Sequence, residues 1–515
     1  MSVRTPATTS QRGLPYKWRV LISVIFGVFM VILDATVINV ALRTLQEEFT
    51  ADTSRVQWVI STYTLALGIV TPLAGLMADR FGIKRVYVLS LLAFVIGSLL
   101  CGLSPSLELL IAARVLQGLG GGMALPLGTA MLFGAFPPSE RGLALGIFGI
   151  ALVFAPASGP LIGGALVDHG LWRWIFFINI PIGLLGVVLS TYLLREERGR
   201  RKPRLDILGI ALSTVGFGLV LYAASRAGEQ GVGWTAPEVL AGLTFGGIAL
   251  VLFFVVELLI REPLLDVRLF AKRTFLVANL IGYVSVVALF GAEFLLPLYL
   301  QVLRGKTAFE TGLILLPLAI ASGFATPLAG RVLDKIGPRP LVFAGFALLA
   351  FNTYQFSQLK LDTSFTELLL LLIIRGVALG LVIQSTQVAA LADVPGPELA
   401  RGSSLINATR QTFQSLGVAI LATVLSSALT VQGPPPGVNL NGPIPPQIVP
   451  LVQRFQHEYL TGLEHAYTVT FYAALVALVL ALFLPGWPTR GWARKEAEMS
   501  QSSPPPDQRS APEAI

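Results

Sequence analysis

Long apolar runs follow one another along the whole chain, separated by short segments that carry charged residues, proline or glycine. A run of about 20 apolar residues crosses a bilayer as a helix. The regular alternation of apolar and polar residues that a membrane barrel needs is absent from the sequence. The pattern therefore predicts an all-α integral membrane protein with fourteen transmembrane helices. The expected spans are residues 20–42, 57–79, 86–104, 107–131, 142–167, 174–194, 206–226, 238–260, 275–300, 311–333, 340–358, 367–392, 403–430 and 467–485.

The composition supports the same class of protein. Of the 515 residues, 54% are hydrophobic and 13% are charged, and the mean hydropathy is +0.73. A soluble globule of this size carries far more charge. The basic residues lie mainly in short connections between apolar runs, which is the bias that cytoplasmic loops of membrane proteins show. We therefore expect a protein that works in a lipid bilayer and binds no nucleic acid.

The distribution of Lys and Arg also predicts an orientation. Most of them share one side of the membrane if residues 1–19 form a cytoplasmic tail. An even number of spans then places residues 486–515 on the same side, as a disordered cytoplasmic tail rich in Ser and Pro. Residues 431–466 would form one long external loop. The expected location is a bacterial cell membrane, crossed many times, with both termini in the cytoplasm.

A short motif occurs twice and divides the chain into two related halves. The stretch Gly75–Arg85 contains Gly, Asp, a base, Gly and a base, and the same residue types recur at the same spacing in residues 330–339. A repeat of this kind predicts two similar structural units. The expected units are a six-helix bundle over residues 20–195, an inserted helix pair with a basic cytoplasmic linker over residues 196–261, and a second six-helix bundle over residues 262–485.

Four ionisable residues lie well inside apolar runs, and each half has an acid and an arginine at corresponding positions. They are Asp34, Arg114, Glu293 and Arg375. A charge at this depth costs at least ~2.5–3.5 kcal/mol, so a functional role is the first hypothesis. A carboxyl group whose protonation responds to water access and to a neighbouring arginine can couple transport to protons. The alternative is a fixed ion pair that only holds helices together, and Glu293 could also select cationic cargo.

The depths of the first acid and arginine indicate that they meet. At a rise of ~1.5 Å per residue, Asp34 lies roughly 9 Å from the outer edge of a ~30 Å hydrocarbon core. Arg114 is on a helix that runs in the opposite direction and lies roughly 10 Å from the same edge. We expect Arg114 and Arg375 to orient helices and tune the acids rather than to carry protons.

Four stretches of the chain resemble motifs of one known family. They are Leu33–Leu42 in the first span, Gly75–Arg85 between the second and third, Arg114–Gly118 in the fourth, and Trp172–Pro181 at the start of the sixth. The family is the major facilitator superfamily, and the closest resemblance is to its fourteen-span drug:proton antiporter branch, which includes quaternary-ammonium and multidrug exporters. The resemblance implies the major facilitator fold, in which two six-helix bundles enclose a site at the membrane midplane, here with two inserted helices.

The resemblance assigns the repeated motif to a gate on the cytoplasmic side. Glycines there permit a tight turn, and Asp79 at a helix end would cap a helix or pair across the two halves. The residues assigned to this gate are Gly75, Asp79, Arg80, Gly82, Lys84, Arg85, Asp334 and Gly337.

A further stretch, Ala155–Gly164, resembles the fifth-helix motif of exporters in the same superfamily. Small residues let neighbouring helices approach closely, and a proline bends its helix. The motif residues are Gly159, Pro160, Gly163 and Gly164. Their presence favours export over import.

A substrate cavity between the halves would be lined by polar and aromatic residues of the core spans. The candidates are Asn39, Tyr63, Gln117, Phe148, Phe154 and Gln301. Cys101 is the single cysteine and the three histidines lack ligand spacing, so we expect neither a metal site nor another cofactor. The sequence also offers no set of nucleophile, base and orienting group, so we expect no catalytic residue and no enzyme activity.

These observations predict a proton-coupled antiporter that exports amphipathic compounds, with cationic drugs or toxic compounds favoured, from the cytoplasm by alternating access. An exporter dedicated to one metabolite or antibiotic stays open as an alternative. A proton-coupled importer and a non-transporting membrane sensor are disfavoured. We expect a functional monomer whose ligands are a small amphipathic substrate and protons. Whether a periplasmic adaptor binds the loop over residues 431–466 is left open.

Overall fold

The computed structural model describes residues 14–196, 206–227, 232–260, 263–429 and 449–484, and almost all of them are helical. The helices of the first half are α1 (Tyr16–Phe49), α2 (Thr53–Val70), α3 (Leu73–Phe81), α4 (Ile83–Leu103), α5 (Leu107–Ala135), α6 (Arg141–Asp168), α7 (Trp174–Phe177) and α8 (Asn179–Leu193). The insert and the second half contain α9 (Ile207–Ala227), α10 (Pro237–Leu259), α11 (Arg273–Leu298), α12 (Ala308–Ile336), α13 (Pro338–Ser357), α14 (Phe365–Leu391), α15 (Leu399–Ser427) and α16 (Val449–Ala481).

Each of the fourteen predicted spans overlaps one of these helices or a broken pair of helices. In the described ranges, ten segments are long and apolar enough to cross a membrane, and α2 with α3, bent by 54°, makes an eleventh. The bend lies at Thr71 and Pro72, because proline cannot donate the backbone hydrogen bond that a continuous helix needs. The chain is therefore a multi-pass membrane protein, and its described part has only helices as regular secondary structure. The number fourteen for its spans stays a prediction.

The predicted external loop over residues 431–466 is wrong in its extent, since residues 449–466 form the first half of α16. Val452, Phe455, Tyr459 and Leu463 recur every three or four residues and are buried against the second half, as one face of an amphipathic helix. The prolines before residue 450 had suggested a loop over the whole stretch. Residues 430–448 lie outside the described residues, and so do residues 1–13, 197–205 and 485–515, which include most of the predicted tails and linker.

One seam between the two halves is a direct contact of α6 with α12. Gly142 lies against Gly330 at one end of the pair, and Gly164 lies against Phe309 at the other end. A side chain on Gly142 would overlap the backbone of α12. Small residues therefore allow the two helices to touch along their whole length.

The second seam lies between α2 and α15, and the insert occupies it. Helix α9 contacts both α2 and α15. The hydroxyls of Ser61 on α2 and Ser225 on α9 are 3.3 Å apart. In the connection after α9, Trp234 Nε1 donates a hydrogen bond to Thr423 Oγ1 of α15 at 2.7 Å. The inserted pair thus bridges the two halves.

Candidate functional site

A fully buried polar network surrounds Asp34 in the first half. Asp34 Oδ2 accepts a hydrogen bond from Arg114 Nη1 at 2.5 Å. Its other oxygen, Oδ1, accepts from Gln117 Nε2 at 2.8 Å and from Asn179 Nδ2 at 2.7 Å. All four side chains have no exposed surface. The carboxylate is therefore fully paired without water.

Three helices bring these groups together. Asp34 lies in the middle of α1, while Arg114 and Gln117 are three residues apart on α5 and so share one face of that helix. Asn179 is the first residue of α8, directly after the break that follows α7. The expected meeting of Asp34 and Arg114 is present in the structure.

Arg114 also connects the network to α2. Its Nε donates to the carbonyl oxygen of Val59 at 3.0 Å, and its Nη1 donates to Gln117 Oε1 at 2.8 Å. The guanidinium lies 4.0 Å from the centre of the Tyr63 ring, a cation–π contact. Its Nη2 is buried and has no hydrogen-bond partner. A buried ion pair is tolerated when further hydrogen bonds satisfy it, and one donor here is not satisfied.

Sequence analysis did not identify three members of this network. Asn179, Ser98 and Cys101 are buried, and Asn179 Nδ2 donates to Ser98 Oγ at 3.0 Å. Cys101 Sγ donates to Gln117 Oε1 at 3.5 Å. The sequence did contain a signal, because Asn179 is an uncharged amide inside an apolar run. It was not selected, because only ionisable residues within the spans were considered.

The second half has a related but different arrangement around Arg375. Its Nη2 donates to the carbonyl oxygens of Ala288 and Leu289 of α11, at 3.1 and 2.8 Å, and its Nη1 lies 3.4 Å from Asn352 Oδ1. Glu293 lies on α11, but its side chain is outside the described residues. The pairing of Glu293 with Arg375 therefore stays a prediction.

The repeated motif lies at one end of the bundle, which we call the motif face and define by Gly82 and Gly337. These two glycines have φ angles of +97° and +84°, in the left-handed region that glycine adopts without strain. Asp79, at the end of α3, forms an ion pair with Arg401 of α15, with 2.6 Å between Oδ2 and Nε. This pair joins the first half to the second half.

The second copy of the motif makes a different contact between the halves. Asp334 of α12 accepts hydrogen bonds from the backbone N–H groups of Gly142 and Leu143, at 2.8 and 3.0 Å. These groups belong to the first turn of α6, where no intrahelical partner exists. Asp334 therefore caps a helix of the opposite half, and its charge faces the positive end of the helix dipole.

The other residues of the repeated motif also make contacts at the motif face. Gly75 packs so closely against the backbone of Arg401 that a side chain would not fit. Arg85 lies 3.6 Å from Glu196, and the guanidinium of Arg80 lies 5.8 Å from the neighbouring Phe81 ring. Lys84 is half-buried at the start of α4.

The fifth-helix motif lies between α1 and α12. Gly159 packs against Thr36 and Gly163 packs against Val37, both on α1. On the α12 side, Pro160 lies next to Gly312. The motif therefore joins the helix that carries Asp34 to the seam between the two halves.

The predicted cavity residues do not form one group. Tyr63 and Gln117 belong to the buried network, Phe148 is buried in the core, and Phe154 packs on Gly323 of α12. Asn39 and Gln301 are exposed. The residues were chosen by type and helix, which does not decide the direction in which each side chain points.

A cavity in the second half lies between α11, α14 and α15. Its polar lining residues are Asn279, Tyr283, Ser285, Thr386, Gln387 and Arg410, which sequence analysis had not placed in a cavity. Tyr283 stacks on Phe413 with 4.4 Å between the ring centres. In the described ranges, no cluster of three or more His, Cys, Asp or Glu could hold a metal ion.

Comparison with known proteins identifies relatives along nearly the whole chain. The family model described as Major Facilitator Superfamily matches residues 24–418. The lincomycin resistance protein LmrB of Bacillus subtilis is 30% identical over 478 residues, which cover 93% of this chain and 98% of that protein. A multidrug resistance protein B homolog of Mycobacterium tuberculosis is 34% identical over 470 residues, covering 88% of this chain and 86% of that protein.

Solved structures show the same fold at low sequence identity. The human organic anion transporter MFSD10 matches with a TM-score of 0.61 and 15% identity, covering 91% of this chain and all of that chain. The proton:xylose symporter XylE matches with a TM-score of 0.61 and 15% identity, covering 94% of this chain and 99% of that chain.

Proposed function

The chain belongs to the Major Facilitator Superfamily, and from that premise we propose that it exports amphipathic compounds from the cytoplasm in exchange for protons. The motif face lies in the cytoplasm, together with both termini, and the membrane is that of a bacterial cell. The functional unit is a monomer, and its ligands are a small molecule and protons.

One observation carries the proton coupling: the Asp34 carboxyl group is fully buried and accepts hydrogen bonds from three donors, on Arg114, Gln117 and Asn179. A proton on Asp34 would remove the charge that Arg114 faces, and its hydrogen atom would meet only donors in the present arrangement of the side chains. The two protonation states therefore favour different arrangements of α1, α5 and α8. A ligand that binds two arrangements with different affinity shifts the equilibrium between them, and here that ligand is the proton.

The contacts at the motif face support alternating access. Asp79 with Arg401, and Asp334 with the first turn of α6, both join the halves at this end. Opening the motif face requires breaking both contacts, so they stabilise the closed conformation of that face. Because neither contact involves Asp34, proton binding and opening are separate events that the helices must link.

The direction of transport and the substrate class are inferred from the relatives and from the fifth-helix motif. The relatives named for lincomycin and multidrug resistance favour export of toxic compounds, and the fifth-helix motif on α6 agrees with export. Cationic substrates stay the favoured class if Glu293 faces the cavity. An exporter dedicated to one antibiotic is a second candidate, because the relative named for lincomycin resistance matches over 98% of its own length.

Transport in vesicles that contain the purified protein tests the proposal. An imposed pH gradient should drive ethidium across the membrane with the wild type, and Asp34→Asn should reduce this movement at least ~10-fold, since one lost charge-assisted hydrogen bond already changes an equilibrium by that factor. The control is Glu108→Gln on α5, because Glu108 forms an exposed ion pair with Arg55, and such pairs contribute little.

Three results would change the proposal. If Asp34→Asn keeps gradient-driven exchange, proton coupling lies elsewhere, and Glu293→Gln is the next variant to measure. If ethidium does not move but lincomycin does, the protein is a dedicated exporter. If a gradient moves neither compound, the proposed export function is wrong although the fold stands.

A further inference from the structure

Asn179 is the one amide of the Asp34 network with an unsatisfied acceptor among the described residues. Its Nδ2 donates to Asp34 Oδ1 at 2.7 Å and to Ser98 Oγ at 3.0 Å, while its Oδ1 is buried and has no hydrogen-bond partner. Leaving a buried acceptor unpaired is unfavourable. The present arrangement therefore satisfies the two donors of this amide at the expense of its acceptor.

Gln117, the other amide on Asp34 Oδ1, is held in one orientation. Its Oε1 accepts from Arg114 Nη1 at 2.8 Å and from Cys101 Sγ at 3.5 Å. Turning this amide around would place its NH₂ group against the guanidinium, and two sets of donors would then face each other. No hydrogen bond holds Oδ1 of Asn179, and the cost of a reversal is that its N–H groups leave their acceptors on Asp34 and Ser98. The two amides on the same carboxylate oxygen therefore have different freedom to reorient.

We propose that Asn179 is a positioning residue that serves both protonation states of Asp34 by reversing its side-chain amide. The inference rests on the proposed function, in which Asp34 takes up and releases the transported proton. An amide offers donors on one side and an acceptor on the other, and the two ends are of nearly equal size. Asn179 can therefore donate to the carboxylate and, after reversal, accept from the carboxylic acid.

The proton balance of the step is simple. An incoming proton forms an O–H bond at Asp34 Oδ1, and the neutral acid donates this hydrogen to Asn179 Oδ1, which the reversal has placed where Nδ2 was. Release breaks the same O–H bond in a conformation that admits water to the carboxyl group, water takes the proton, and Nδ2 returns to donate to the carboxylate. Arg114 keeps its hydrogen bonds to Val59 and Gln117 in both states.

Ser98 links the reversal to the break between α7 and α8. Its hydroxyl now accepts from Asn179 Nδ2 and donates to the carbonyl oxygen of Phe176 at 2.8 Å. When Oδ1 of Asn179 faces Ser98, the hydroxyl turns to donate to it, because hydroxyl hydrogens rotate freely. The bond to Phe176, in α7, is then lost. Protonation of Asp34 thereby changes the contacts of the short helix that precedes Asn179.

Few other ionisable groups face this site in the described structure. They are Arg114 of α5, Tyr63 of α2 and Cys101 of α4. If a pH-dependent change at Asn179 is absent from the variant Asp34→Asn, it is therefore caused by protonation of Asp34.

Infrared difference spectroscopy of the purified protein, with carbon-13-labelled asparagine, tests the inference during a pH titration. We expect a carboxylic C=O band that is missing in Asp34→Asn, and an amide C=O band of Asn179 that shifts with the same pH midpoint. Asn179→Leu, which has a similar size but no polar group, should abolish the amide band. It should also move the Asp34 midpoint to higher pH by about one unit, because the charged form loses the stronger bond. Asn179→Gln keeps both donor and acceptor, so its Asp34 midpoint should lie closer to the wild-type value than that of Asn179→Leu. Ser190→Ala, at another buried position of α8, is the control and should change neither band.

The outcomes separate the two proposals. An amide band that stays fixed while Asp34 titrates makes Asn179 a static donor and overturns the reversal. A wild type without an Asp34-dependent band overturns both the coupling role of Asp34 and the inference. If both bands titrate together but no compound is transported in vesicles, the inference stands and the export function is wrong.

Discussion

Arg114 is the residue that connects most of the buried polar groups of the first half. It contacts the carboxylate of Asp34, the amide of Gln117, the carbonyl oxygen of Val59 and the ring of Tyr63. A planar guanidinium can hold several partners in fixed directions, which a lysine cannot. The polar contacts of α1, α2 and α5 in the membrane core therefore depend on this side chain.

We expect Arg114→Gln to destabilise the folded protein by roughly 3–5 kcal/mol, because the carboxylate of Asp34 would lose its buried counter-charge. In the double variant with Asp34→Asn, the loss should be smaller than the sum of the two single effects. Thermal unfolding in detergent measures both. Arg55→Gln, which removes one partner of an exposed pair, is the control and should cost less than about 1 kcal/mol. Additive effects of the two buried variants would show that the residues do not stabilise each other.

The sequence alone predicted part of this residue-level picture. The depths of Asp34 and Arg114 were sufficient to bring them together, because helix rise and bilayer thickness are fixed quantities. The sequence did not predict the role of Asn179. That role depends on the break between α7 and α8, where Asn179 reaches Asp34 of α1. Tyr63 and Gln117 were chosen as cavity residues, and the structure places both in the buried network around Asp34, because residue type does not report the direction of a side chain.

At the scale of helices, α9 distinguishes the two seams between the halves. Its contacts with α2 extend over several turns, from Trp58, whose ring stacks on Tyr222, to Gly68, which lies against Leu221. On the α15 side, Ala223 of α9 and Ala419 of α15 belong to one small buried apolar cluster. The two interfaces are of similar extent, but the ring stack and the paired hydroxyls of Ser61 and Ser225 are made with α2, so we expect the insert to move with the first half.

We therefore expect two disulfide cross-links to differ in effect. Ser61→Cys with Ser225→Cys, which ties α9 to α2, should leave transport unchanged after oxidation. Ala223→Cys with Ala419→Cys, which ties α9 to α15, should reduce transport about 10-fold, corresponding to roughly 1.4 kcal/mol, and a reductant should restore it. Each pair serves as the control for the other. Loss of transport in the first pair would show that α9 moves relative to both halves.

The sequence predicted the helices well because each apolar run is long and bounded by clear breaks. It missed the first half of α16, where polar residues and an upstream proline segment hid an amphipathic face. Val452, Phe455 and Tyr459 have helical spacing, but the criterion of continuous hydrophobicity rejected the segment. The position of the insert between α2 and α15 could not be derived, since the order of spans does not determine which seam an inserted pair occupies.

At the scale of the whole molecule, the two halves are joined at the motif face by two unlike contacts. The ion pair of Asp79 with Arg401 uses side chains on both sides, whereas Asp334 binds backbone N–H groups of α6. The repeat in the sequence predicted that both copies would act at one end. It did not predict this difference, because the partners lie outside the repeated stretch.

Removing the cap of α6 should favour opening of the motif face. Asp334→Ala leaves the N–H groups of Gly142 and Leu143 without their acceptor in the closed conformation, at a cost of about 1 kcal/mol, which is roughly a fivefold shift in population. Spin labels at Ser139→Cys and Lys335→Cys, both exposed, report the distance across the seam. The longer distance should gain population, while the surface variant Asp362→Ala should have no effect. An unchanged distance distribution would mean that Asp334 does not hold the face closed.

The two contacts at the motif face should also differ in how their residues are substituted among related sequences. An aspartate paired with an arginine can be replaced only together with its partner, so positions 79 and 401 should show correlated substitutions. A backbone N–H group is present whatever side chain a residue carries, so position 334 needs no particular partner and should vary independently of position 143. Statistical coupling between positions 79 and 401, without a counterpart for 334, is therefore expected in an alignment of close relatives.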